Sequence, residues 1–194
     1  MQVFSGTDEK IINATFEILQ EEGLAKATTK KIAAKAGVNE VTIFRNFKNK
    51  KNLIETTKEY YFNRFLKNLE EIFDFNEDDG IEQYLQKNFI GLLNLSEDDV
   101  NVVKLSMEEV RDTPEGKQYI SRISTTAIDK LEEFFESQKE KGNIRPIDTR
   151  VLAAMSYSIT FQSIILYRVY DEGTGIDNDR YAKNFLDILY NGIK

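Results

Sequence analysis

Residues 28–53 read TTKKIAAKAGVNEVTIFRNFKNKKNL, and the spacing of apolar side chains in this stretch decides the fold. Ile32, Ala33 and Ala36 share one face of a first short helix. Ile43 and Phe47, four residues apart, share one face of a second. Gly37 stands between them and can take positive φ at little steric cost. Two helices joined through such a turn make a helix-turn-helix. Thr28 or Thr29 can N-cap the first helix and Asn39 the second. The second helix then turns Glu40, Val41, Thr42, Phe44 and Arg45 outward, while Ile43 and Phe47 hold it to a core.

The stretch is also basic in a chain that is not. Between Leu24 and Asn52 stand eight Lys or Arg (Lys26, Lys30, Lys31, Lys35, Arg45, Lys48, Lys50 and Lys51) against one acid, Glu40. Such a local excess suits a phosphate backbone. A recognition helix enters the major groove through residues near its N-terminus. Thr28, Thr29 and Lys50 sit at helix starts, where free N–H groups favour phosphate. The expected DNA contacts are therefore Thr28, Thr29, Lys30, Asn39, Glu40, Val41, Thr42, Phe44, Arg45, Asn46 and Lys50. The charge elsewhere has the opposite sign. Residues 1–55 carry nine basic and seven acidic side chains, whereas residues 56–194 carry seventeen and twenty-six. Such an acidic body either keeps DNA away from every face but the basic end or simply keeps the protein dispersed.

IAAKAGVNEVTIFRNFKNKKNL resembles the signature of TetR-type (TetR/AcrR-like) regulators, in which an I-A-x-x-A-G-V-S turn precedes a T-[LIV]-Y-x-x-F-x-x-K-x-x-L run. Ile32, Ala33, Ala36, Gly37, Val38, Thr42, Ile43, Phe47, Lys50 and Leu53 fall on pattern positions. Ala14, Phe16, Leu19 and Gly23 fit the preceding helix, and KGNIRPID at 141–148 looks like the turn before the penultimate helix of many members. Three residues depart from the pattern. Phe44 replaces a tyrosine whose hydroxyl commonly reaches a phosphate, Val41 replaces a small residue, and Glu40 is acidic. Glu40 can accept from a cytosine N4 amine or merely complement the helix dipole. Val41 can touch a thymine methyl.

Composition removes other classes. The chain of 194 residues contains no histidine and no cysteine, which excludes the commonest general base, Ser–His pairs and thiolate nucleophiles. Ordinary zinc and iron–sulfur ligand sets go with them. No phosphate loop or dinucleotide fingerprint is present. The expectation is no catalytic residue, no metal and no cofactor. The acids at Asp78-Asp79, Asp98-Asp99 and Asp177-Asn178-Asp179 stand at predicted helix starts, where acids serve as caps. No signal-peptide pattern opens the chain. The longest uncharged segment here, Val151 to Tyr167, is shorter than the ~20 residues a membrane span needs. The expected location is cytoplasmic.

The chain reads as all-α, with about nine helices and no strand-period stretch. Helix one is expected from Asp8 to Glu22 and helix four from Lys50 to Phe73. Others run from Ile81 to Leu95 after an acid-capped turn, from Ser96 to Arg111, and from Thr113-Pro114 to Lys141. Asp148 caps a helix to Tyr170, EGTGIDND forms a loop, and a last helix runs from Asp179 to Gly192. The expected domains are 1–52, a three-helix DNA-binding domain, and 53–194, a helical domain for ligand binding and dimerisation.

The resemblance implies a homodimer formed by the last two helices. Leu152, Ser156, Ile159, Ser163, Phe185, Ile188 and Leu189 are the expected interface, since small residues admit a close helix and the others supply apolar area. A two-fold dimer implies a palindromic site in double-stranded DNA. The resemblance also implies an effector pocket among the middle helices. Its candidate lining is Phe62, Phe65, Phe89, Met107, Phe134, Tyr157, Phe161 and Gln162, which would take an apolar or cationic small molecule. The same aromatics also fit a plain core. The expected function is a ligand-responsive repressor. The alternative is a helical sensor or interaction module that has lost specific DNA binding.

Overall fold

The computed structural model describes residues 4–109, 114–170 and 178–193. The described residues form nine α-helices and no strand: α1 Gly6–Glu22, α2 Thr29–Ala36, α3 Glu40–Phe47, α4 Lys50–Ile72, α5 Ile81–Leu93, α6 Glu97–Glu109, α7 Pro114–Glu140, α8 Thr149–Ile164 and α9 Asn178–Ile193. A π-helical turn, Ile165–Val169, extends α8. Contacts group the chain into two compact units, one through Phe65 and one from Leu66 onward. Residue 53, the expected boundary, lies in the first turn of α4. The next turns stay with the first unit because Tyr61 stacks on Phe16 of α1 with ring centroids 3.5 Å apart, and Tyr60 meets Phe4 edge-on at 5.6 Å.

In the first unit, Ile11, Ile12, Phe16, Ile32, Ile43, Phe47 and Leu53 are buried from four helices. α1 begins at Gly6, two residues before the expected Asp8, because Ser5 and Asp8 form a reciprocal capping box. Thr28 caps α2 by accepting from the Lys31 N–H at 3.3 Å. The end of α2 is a Schellman turn. Gly37 adopts φ 67°, its N–H bonds Ala34 at 3.3 Å, and the Val38 N–H reaches back to the Ala33 carbonyl at 3.0 Å. Asn39 caps α3 through the Val41 N–H at 2.9 Å. Asn49 caps α4 through the Asn52 N–H at 2.8 Å.

In the second unit, α7 packs against α6 and α8, and α5 against α8 and α9. Phe134 is fully buried and stacks on Tyr84 at 3.8 Å, with Phe75 edge-on at 5.3 Å. The Tyr84 hydroxyl donates to the Phe73 carbonyl at 2.9 Å. Ser96 caps α6 in a second capping box with Asp99, and Asp148 caps α8 at Val151. The acid expected to cap α5 does not do so. Gly80 is that N-cap without a side-chain bond, and Asp79 instead closes its own turn by accepting from the Asn76 N–H. Thr113 and the loop at 171–177 lie outside the described residues. No described helix is long and apolar enough to cross a membrane.

Among the described residues, one other than glycine has positive φ. Lys48 sits at φ 68°, ψ −50°, and the Asn49 N–H bonds the Phe47 carbonyl across it at 2.8 Å. That is the rare γ-turn with positive φ, which L side chains adopt only under strain. It reverses the chain between α3 and α4 in a single residue. Lys48→Gly removes the strained Cβ and is expected to raise the free energy of unfolding by about 1 kcal/mol after glycine's own chain-entropy cost. Urea unfolding at constant pH measures it. A loss of stability would contradict the strain.

Candidate nucleic-acid interface

α3 is amphipathic in an unusual sense. Its inner face, Ile43 and Phe47, is buried, yet its outer face is also partly apolar. Val41 is 71% exposed and Phe44 48% exposed. Arg45 and Asn46 are exposed beside them. Thr42 is half-buried at the edge. The outer surface of α3 therefore offers a methyl pair, an aromatic ring and a guanidinium. Those groups suit thymine methyl contact and guanine recognition.

The structure places each expected contact. Thr28 and Lys30 are exposed at the start of α2. Lys50 is half-buried in the first turn of α4. Thr29 and Glu40, the first residues of α2 and α3, are joined to each other. The Thr29 hydroxyl donates to the Glu40 Oε1 at 2.5 Å. This third role for Glu40 was not among the sequence readings. One carboxylate oxygen braces the two helices of the motif, so α2 and α3 are tied by a side-chain bond as well as by the Gly37 turn. Asn39 is similarly occupied, with its Oδ1 on the Val41 N–H.

Two of the eight basic residues point elsewhere. Lys31 pairs with Glu22, and Lys35 with Glu17 at 2.9 Å and Glu21 at 3.1 Å, all on α1. The bond to Lys31 holds the Glu22 carboxyl below its ordinary pKa. The bonds to Glu17 and Glu21 hold the Lys35 ammonium above its own. The basic surface is thus narrower than a count of residues suggests. It centres on Lys26, Lys30, Arg45, Lys48, Lys50 and Lys51.

Asp8 is the residue that sequence reasoning missed. Its carboxylate accepts from the Asn46 amide at 2.7 Å. Partial burial pushes the Asp8 pKa up. Hydrogen bonds from Ser5 and Asn46, together with the nearby Arg45 charge, outweigh that effect and hold it below the ordinary value. The S-x-x-D pattern at residues 5–8 announces the capping box, but nothing local announces Asn46.

The pocket candidates fall on several helices. Phe89 is buried near Phe185 of α9, with ring centroids 6.5 Å apart, and Phe134 belongs to the Tyr84 cluster. Tyr157 stacks on Phe161 at 5.3 Å, and Ser124 donates to its hydroxyl at 3.4 Å. Burial pushes the Tyr157 phenol up to about 12, so it stays a neutral hydrogen-bonding group. Met107 is half-buried and Gln162 is exposed. Phe62 and Phe65 are buried on α4 in the first unit.

The interface candidates divide by helix face. Leu152, Ser156 and Ser163 are buried within their own subunit. The two serine hydroxyls bond the Leu152 and Ile159 carbonyls one turn back. Both serines are buried on α8, a helix that packs against α7 and α5. The exposed stripe is Val151, Met155 and Ile159, with Ile188 on α9. These line one apolar groove with the half-buried Phe185 and Leu189.

Comparison with known proteins agrees with this geometry. The family model for bacterial regulatory proteins, tetR family, matches residues 11–57. The chain is 30% identical over 157 residues to the uncharacterized HTH-type transcriptional regulator YvkB of Bacillus subtilis, covering 80% of this chain and 79% of that one. It is 24% identical over 186 residues to the fatty acid metabolism regulator protein of Bacillus subtilis, covering 95% and 94%. The solved fatty acid degradation regulator FadR from Bacillus halodurans has the same fold, with a TM-score of 0.70 at 21% identity over 100% of this chain and 99% of that chain. The chain belongs to the tetR family and is a DNA-binding, helix-turn-helix transcriptional regulator.

Proposed function

We propose that the protein is a homodimeric repressor that places α3 of each copy in successive major grooves of a palindromic operator and leaves it when an apolar effector binds. The observation that carries this reading is the outer face of α3. Val41, Phe44 and Arg45 are exposed on a helix whose other face is anchored in a core. A valine 71% exposed and a phenylalanine 48% exposed beside an arginine leave much apolar area unburied within the subunit. Base edges would cover it.

The apolar stripe of α8 and α9 supports the dimer. Ile188 is 73% and Met155 59% exposed, and a contiguous exposed apolar surface of this kind marks an association site. The effector reading is supported by the aromatic residues of the second unit and by the Tyr157–Ser124 pair, which offers a polar handle beside the Phe161 ring. Two relatives are named for fatty acid metabolism, which favours a ligand with an acyl chain. Such a ligand acts only through its different affinity for the DNA-bound and released states.

Selection of bound fragments from randomised and genomic duplex DNA at near-physiological salt tests the reading. It is expected to return one palindrome with half-sites about 10 bp apart or a multiple of that. Absence of enrichment by the folded, ligand-free protein would favour the sensor that has lost DNA binding. Lys50→Ala is expected to weaken all sequences alike and flatten the salt dependence by about one. A changed base preference at an unchanged salt slope would remove Lys50 from the phosphate. Ile188→Glu is expected to give a folded monomer by sedimentation, with weaker operator binding. A dimer of undiminished strength would place the interface elsewhere.

A further inference from the structure

A polar chain reaches the recognition helix from outside the motif. Asp8 lies in the first turn of α1, 38 positions before Asn46, and its Oδ1 accepts from the Asn46 Nδ2 at 2.7 Å. The amide nitrogen is thereby engaged, and the Asn46 Oδ1 accepts from the Arg45 Nε at 3.1 Å. The second Asp8 oxygen is held by the Ser5 hydroxyl at 2.6 Å and the Ser5 N–H at 3.3 Å. The carboxylate is fastened to the start of α1 on one side and to α3 on the other. An amide has a donor end and an acceptor end, and its orientation follows its partners. Here an anionic acceptor selects one orientation, and that orientation turns an oxygen toward Arg45.

The consequence falls on the arginine. A guanidinium is a rigid planar fork with five N–H donors. Engaging Nε fixes the plane and leaves the end-on pair of terminal nitrogens for an external acceptor. A bidentate contact to guanine O6 and N7 needs such a planar, oriented pair. We infer that Asp8 and Asn46 are positioning residues that set the plane of Arg45 for reading one guanine. Asn46 thus acts through Arg45 and does not meet the DNA itself. The inference rests on the DNA-binding reading above. The Asp8 charge works against affinity, because an acid beside a phosphate-facing surface repels every sequence equally. Its contribution is orientation.

The test uses the full chain, the selected operator, and duplexes carrying each single base change. Asp8→Ala is expected to reduce the preference for guanine at one base pair per half-site by about tenfold. Affinity for unrelated duplex is expected to stay equal or to rise. Asp8→Asn drops the charge but keeps an acceptor for Asn46, so the preference is expected to survive. Arg45→Ala should abolish the same preference, and adding Asp8→Ala to it should change nothing more. Ser5→Ala removes the α1 cap and the hydroxyl bond to the second Asp8 oxygen, while the Ser5 N–H and the Asp8–Asn46 bond remain. Preserved preference there excludes fraying of α1 as the cause.

Uniform loss across all sequences in Asp8→Ala, or a further loss in the Arg45→Ala background, overturns the clamp. A wild-type palindrome with an intact guanine preference in Asp8→Ala removes the clamp and leaves the regulator reading standing. No preference in the wild type removes both.

Discussion

An eight-residue helix closes few internal hydrogen bonds, and isolated helices of that length are marginal in water. α3 exists because Ile43 and Phe47 are buried against the first unit's core. Everything the recognition surface does depends on that burial. It fixes which side chains face outward, and it leaves Val41 and Phe44 exposed without destabilising the helix, since the anchoring area is supplied from the opposite face. A helix held this way is rigid in orientation and still presents apolar groups to the groove.

Burial sets the face, but polar ties set the angle. Asn39 closes the start of α3 and the Gly37 turn fixes its entry. Thr29 and Glu40 brace it against α2. The strained turn at Lys48 and the Asn52 amide on the Phe47 carbonyl, at 3.0 Å, fix its exit. Asp8 holds its last turn from α1. Strained backbone persists only where the surroundings over-determine it. Here caps at both ends and a core beneath supply that determination.

The parts legible in the sequence are the ones encoded locally. Asn39 and Asp148 cap where they were expected, and Gly37 turns where the two apolar faces meet, because each acts within four residues of itself. What stayed hidden depends on distant partners. Ser156 and Ser163 have the small size an intersubunit contact uses, yet size alone does not say which neighbour approaches, and the subunit's own helices do. Lys31 and Lys35 read as part of a phosphate surface until α1 is placed beside them. Glu40 offered two readings, and the bond observed is a third that needed Thr29 eleven residues away. Six of the eight pocket candidates are aromatic, and an aromatic at helical spacing fits a core as well as a cavity.

The same pairing of lysines with α1 changes how affinity divides between backbone and bases. Phosphate contacts give sequence-independent affinity in proportion to the cations available. Glu17, Glu21 and Glu22 neutralise two of the surface lysines, and the chain as a whole is acidic, with a net charge of −7. Non-specific binding is weakened from both sides. On the reading proposed above, contacts at base edges then carry a larger share of the operator complex, and small changes in their geometry weigh more. On that reading, such a protein relies on the placement of a few groups on α3, and the side-chain ties at Glu40, 2.5 Å, and Arg45, 3.1 Å, then bear on which sequence it reads.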